Sequence, residues 1–151
     1  MAKPNPSGSI RLEKEAIVYS VDGADLWRIR LGNVRVIGEY TIDHGPGFDD
    51  YFFVFVTERA DCWFEASFYA DGTNAFLQGL SARLEHELRA GLCNSTDFKS
   101  RVLWPPQLEG EELFVFVPET KAKTILGKVR QSILPHVFFE LSEPVRKLIV
   151  E

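Results

Sequence analysis

Apolar and polar positions alternate in short runs over most of the chain and change to helical spacing in two longer segments. Ala16 to Val21 reads as a strand closed by the turn Asp22-Gly23-Ala24-Asp25. Leu26 to Ile42 then runs on for too long to be one typical strand. Gly32-Asn33 in its middle tolerates positive φ and predicts a two-residue hairpin turn, with Leu31 facing Val34 and Ile29 facing Val36. That register sets Arg30 against Arg35, a cost of roughly a few tenths of a kcal/mol. A single bent strand with a bulge at Gly32 is the alternative.

Asp50 to Thr57 and Cys62 to Ala70 form a second predicted hairpin around Glu58-Arg59-Ala60-Asp61. A four-residue loop there pairs Tyr51 with Phe68, Phe53 with Ala66 and Phe55 with Phe64. One face is aromatic throughout, and the other carries Phe52, Val54 and Val56 against Ser67, Glu65 and Trp63. Apolar residues on both faces of Tyr51 to Val56 predict a central strand.

Asp71-Gly72-Thr73-Asn74 offers a helix start. Phe76, Leu80, Leu84 and Leu88 recur every four residues up to Gly91, in the place of a C′ glycine, with His86 on the polar side. Phe98 to Trp104 and Glu112 to Val117 read as strands around a Pro-rich loop. Glu119 to Leu134 returns to helical spacing, with a basic outer row of Lys121, Lys123, Lys128 and Arg130, and ends at Pro135. His136 to Leu141 reads as a last strand, and Ser142 as the cap of a short helix carrying Val145, Leu148 and Ile149. The predicted fold class is α+β: a mainly antiparallel sheet of consecutive hairpins, with two main helices packed on one face. Seven buried positions follow, with Phe53, Phe55, Phe64 and Phe68 packed against Leu80, Leu84 and Leu88.

Composition adds the boundaries. At 151 residues the chain suits one domain able to bury a core without staples. Residues 1–9 are rich in Pro, Gly, Ser and Asn and lack the apolar stretch of a secretory signal, so they are expected to be a disordered leader to a single α+β domain over 10–151. The longest apolar run, Tyr51 to Val56, is far too short to span a bilayer. Cys62 and Cys93 have neither a CxxC spacing nor a nearby His, and are expected to be buried reduced thiols. These features favour the cytoplasm as the expected location, with no membrane partner expected.

Charge narrows the partners. The net charge is −5, and Glu39 to Asp71 holds Glu39, Asp43, Asp49, Asp50, Glu58, Asp61, Glu65 and Asp71 against Arg59 alone. Nucleic-acid binding needs Lys and Arg to displace counterions, so it is not expected. A basic protein partner or a divalent cation suits such a region, and a homo-oligomer is compatible with it.

The chemistry-bearing residues cluster in Asp43-His44-Gly45-Pro46-Gly47-Phe48-Asp49-Asp50. This segment joins two strands, at the sheet end where Asp71 also lies; a hairpin at Gly32-Asn33 brings Asp22 and Asp25 there too. Asp43, Asp49, Asp50 and Asp71 are candidate ligands for a hard cation such as Ca²⁺ or Mg²⁺. His44, Asp49 and Asp50 are candidate acid–base residues. The bland reading is a turn, since Asp, Gly, Pro and Asn are what turns use. No G-x-S-x-G, P-loop, G-x-G-x-x-G or H-E-x-x-H pattern is present. His136 reads as structural. The expected function is a non-enzymatic protein-interaction module, accessory or immunity-like, presenting an acidic loop end. The alternatives are a cation-assisted hydrolase using the Asp43–Asp50 loop, and a small-ligand-binding domain walled by the aromatic face.

Overall fold

The computed structural model describes residues 5–42, 49–59, 62–92, 98–117, 130–131 and 138–150. Strands β1 (Ser9–Glu13), β2 (Ala16–Val21) and β3 (Ala24–Arg30) form an antiparallel meander. A second antiparallel sheet has the order β6-β5-β4-β7, from β4 (Val36–Thr41), β5 (Tyr51–Val56), β6 (Phe64–Ser67) and β7 (Lys99–Trp104). A third has the order β8-β10-β9, from β8 (Phe114–Val117), β9 (Arg130–Gln131) and β10 (Phe138–Leu141). Helices α1 (Thr73–Leu84) and α2 (Glu143–Val150) complete the described elements, and the class is α+β. Among the described residues no helix is long and apolar enough to cross a membrane.

The four-stranded sheet is the middle layer because both of its faces are apolar. Strand β5 is central in it, and its pairing with β6 has the expected register, with Phe53 opposite Ala66 and Phe55 opposite Phe64. Phe53 and Phe55 turn to one core, with Ile10, Ile17, Phe76, Leu80 and Leu88. Phe64, Phe68 and Leu84 pack at its edge, which completes the seven-residue core expected. Val54 and Val56 turn to the opposite core, with Tyr40, Trp63, Val102, Phe114, Leu141 and Val145. Gly38 lies between Val36 and Tyr40, where a Cβ would meet the Leu113 side chain at 2.7 Å and the Arg101 carbonyl at 2.9 Å.

The two described helices therefore serve different cores: α1 covers the Phe53–Phe55 side, and α2 contributes Val145 to the other. The second main helix expected on one face with α1 is that over 119–134 rather than α2, so that placement is not confirmed. Most of the helix expected over 119–134 lies outside the described residues, and Arg130–Gln131 within it form β9 instead. A two-residue strand there is set by its partner Phe138–Phe139 and not by local spacing.

The hairpin at Gly32-Asn33 is not formed. Leu31–Asn33 make one 3-10 turn, and the chain passes from the first sheet at β3 to the second at β4. Crossing over avoids the Arg30–Arg35 pairing and lets Ile29, Val34 and Ile37 enter one core while Val36 enters the other.

Helix α1 also stops one turn early. Glu85 takes a left-handed conformation (φ 52°), and the Ser81 hydroxyl accepts the Leu88 N–H at 3.0 Å, so Leu88 still reaches the core. His86 lies past the helix end, 3.3 Å from Glu109. Two composition-based expectations change as well. Asn5 to Ser9, assigned to a disordered leader, are built in: Ser9 opens β1, Ser7 is buried, and Gly8 accepts the Asp71 N–H. Cys62 is an exposed thiol ahead of β6, not a buried strand residue. Cys93 and His136 lie outside the described residues.

Candidate functional site

Three of the acidic candidates gather around the N-terminal segment. Asn5 Nδ2 donates to the Asp71 carboxylate (3.1 Å) and to the Tyr69 carbonyl (2.9 Å). Asn5 Oδ1 accepts the Ser7 N–H, and the Ser7 hydroxyl donates to Asp49 (3.0 Å). The Tyr69 hydroxyl donates to Asp50 (2.6 Å). The Asp50 carbonyl in turn accepts the Ile42 N–H, which ties this end to β4. Tyr19 anchors the segment from beneath through its hydroxyl on the Ser7 carbonyl (2.6 Å). Burial holds that hydroxyl above the usual tyrosine value, so it remains a donor at neutral pH.

The donors to Asp49, Asp50 and Asp71 are thus all neutral. Among the described residues none of the three has a Lys or Arg partner, so their charges are uncompensated there. Asp49 and Asp50 are half-buried, Asp71 is exposed, and Tyr69 beside them is 47% exposed. Asp71 is held by Asn5 and does not cap α1, whose N-cap is Gly72 with φ 84°. Asp43 and His44, the other candidates, lie outside the described residues. Among the described residues no group of three or more His, Cys, Asp or Glu is arranged to hold a metal ion. Asp25 is committed elsewhere, to Ser20 (2.6 Å) and Arg11 (3.3 Å); these bonds hold its carboxyl below the ordinary range.

A second constellation had no place in the sequence reading. Glu39 on β4 is 0% exposed. Its carboxylate accepts from the Tyr51 hydroxyl, from the Gly91 N–H (3.1 and 3.2 Å) and from Arg101 Nε (3.1 Å). Arg101 also donates to the Arg89 carbonyl, and the Leu92 N–H donates to Tyr51 (3.3 Å). Gly91 suits this approach, because a Cβ there would meet the Arg101 guanidinium at 2.6 Å and would have to displace it. Its role is to let the 89–92 segment close over Glu39, not to end a helix. A charged residue inside the apolar run Val36–Thr41 was the signal available.

Arg101 reaches from this network to a groove of about 520 Å³ between the edge strands β7 and β8. Phe98, Phe114, Val115 and Phe116 give it an apolar wall, and Lys99, Ser100, Arg101 and Glu112 its polar groups. The aromatic face of β5, expected as a ligand wall, is closed instead, with Tyr51, Phe53 and Phe55 at most 1% exposed. No family model matches the chain, and no curated protein or solved structure matches it either.

Proposed function

We propose that the protein is a non-catalytic protein-interaction module of the cytoplasm that engages a basic protein partner through its Asp49–Asp50–Asp71 end. The observation that carries this reading is the way the three carboxylates are held. Asn5, Ser7 and Tyr69 fix them with neutral donors, so the end is ordered while its negative charge is left to act outward. Fixed like charges speed association with a basic surface and set its register. The half-exposed Tyr69 ring among them supplies the kind of aromatic anchor that dominates interface energetics. Preorganisation adds to this, since the carboxylates lose little freedom on docking.

The test is capture on the immobilised protein from the native host at rising salt, compared with the Asp49→Asn/Asp50→Asn variant. Asn keeps an acceptor for Ser7 and Tyr69 and removes the charge, so the fold persists. The expected result is a partner that elutes at lower salt from the variant, as screening of a charge-steered contact requires. The same partners eluting at the same salt from both proteins would refute the acidic end as the interface.

A further inference from the structure

The groove between β7 and β8 is independent of the acidic end and carries a different chemistry. Antiparallel pairing fixes which backbone groups face it. The Val102 N–H points away from β4, to the Glu111 carbonyl (2.8 Å), so Ser100, two residues back on β7, also turns its N–H and carbonyl outward. On β8, Leu113 accepts the Ser142 N–H from the β10 side (2.8 Å), so Phe114 and Phe116 face away from β10. The Phe114 N–H is taken by the Ser100 hydroxyl (3.0 Å). The outward backbone groups of Ser100 and Phe116 thus flank the groove.

The side chains there divide by character. Phe98 and Phe116 pack with ring centroids 4.3 Å apart and planes tilted by 46°, and Phe116 is 55% exposed, an unusual state for a ring in a packed strand. Lys99 and Arg101 stand two residues apart on β7, on one face. Arg101 is not a floppy surface cation: Glu39 and the Arg89 carbonyl hold two of its nitrogens, and among the described residues Nη1 has no partner. Among the described residues Glu112 is the one carboxylate lining the groove, and it lies just before β8. The volume falls in the range of small-molecule sites, whose usual form is an apolar wall with a few fixed polar groups.

We infer that this groove binds a small monocarboxylate with an apolar body. The carboxylate lies at β7 against Lys99, Arg101 and the Ser100 N–H, and the body rests on Phe98 and Phe116. Charge selects the orientation, because Glu112 repels an anion placed at the β8 side.

The test is an NMR titration of the full chain with decanoate, and with decyltrimethylammonium as the cation of similar body. Decanoate is expected to shift the amides of Ser100, Arg101 and Phe116 saturably, with the cation far weaker. Lys99→Gln, an exposed position, should weaken decanoate roughly tenfold, the worth of one charge-assisted hydrogen bond. Glu112→Gln should tighten it, and Phe116→Ser should weaken decanoate and octanoate by similar factors. Equal binding of the cation, diffuse or non-saturating shifts, or no response to Lys99→Gln would overturn the inference. A carboxylate-free extended peptide that shifts the same amides more strongly than decanoate would overturn it in favour of strand addition at the β7 edge.

Discussion

Replacing Arg101 with Met keeps most of the side chain's aliphatic stem and removes its guanidinium. Among the described residues, Glu39, at 0% exposure, then retains only the Tyr51 hydroxyl and the Gly91 N–H, both neutral. Removing one partner of a buried ion pair costs about 3–5 kcal/mol, because the other charge stays in a medium that cannot solvate it. The reverse change is milder. The Arg101 side chain is 33% exposed while that of Glu39 is 0% exposed, so in Glu39→Gln the guanidinium can turn towards water. Its cost reduces to the lost charge-assisted hydrogen bonds, about 1.5–3 kcal/mol. The double variant carries no stranded charge, so it should be more stable than Arg101→Met alone. Urea denaturation at neutral pH measures all three, read from the midpoints at constant slope. Additive single effects, or an Arg101→Met midpoint within about 0.5 kcal/mol of the parent, would refute the account of Glu39 as a carboxylate that depends on Arg101.

Phe55→Ala empties a site that is 0% exposed beside Trp27 and Phe76, and should cost about 3–5 kcal/mol by denaturant unfolding. Gly38→Ala drives a methyl against Leu113 and the Arg101 carbonyl, and should cost about 1–3 kcal/mol in the same assay. Tyr19→Phe removes the bond to the Ser7 carbonyl; it should cost about 1 kcal/mol and speed amide exchange over Ser7 and Gly8. The Asp25 carboxyl lies below its ordinary value of 3.8, first through the Ser20 hydroxyl and then through Arg11. A depressed carboxyl stabilises above its unfolded value and loses that contribution as pH falls through the folded one. Asp25→Asn should therefore flatten the acid limb of a melting-temperature profile below about pH 4, and an unchanged limb would remove Asp25 from the account.

The parts of the fold that were legible are those in which one local rule had no rival. A four-residue loop and two-faced apolar alternation allow only one useful register for β5 and β6, because a slip of one residue would exchange the aromatic face for the mixed one. Gly32-Asn33 failed for the opposite reason. The same turn chemistry serves a chain that folds back and a chain that crosses to another sheet, and the choice lies in which cores Ile29, Val34 and Val36 can fill. The segment Asn5 to Ser9 was masked by its composition. Pro, Ser and Gly signal disorder when nothing holds them, yet Tyr19, Asp49 and Asp71 supply partners from up to 66 residues away.

The same distinction explains the sites. The acidic end was legible because turn residues concentrate at strand ends, and Asp49, Asp50 and Asp71 meet there whatever the sheet order. What holds them was hidden, since Asn5 and Ser7 stood in the supposed leader. Glu39 was counted with the acidic residues facing a partner, whereas strand alternation puts it on the inward side with Ile37, Phe53 and Phe55. A buried glutamate is tolerable only with a cation beside it, and that cation is 62 residues further on, in a strand of another polarity pattern. Joining the two facts changes what Arg101 is: a donor fixed by a buried acid at the mouth of a groove, where the sequence shows only one of two basic residues in Lys99–Trp104.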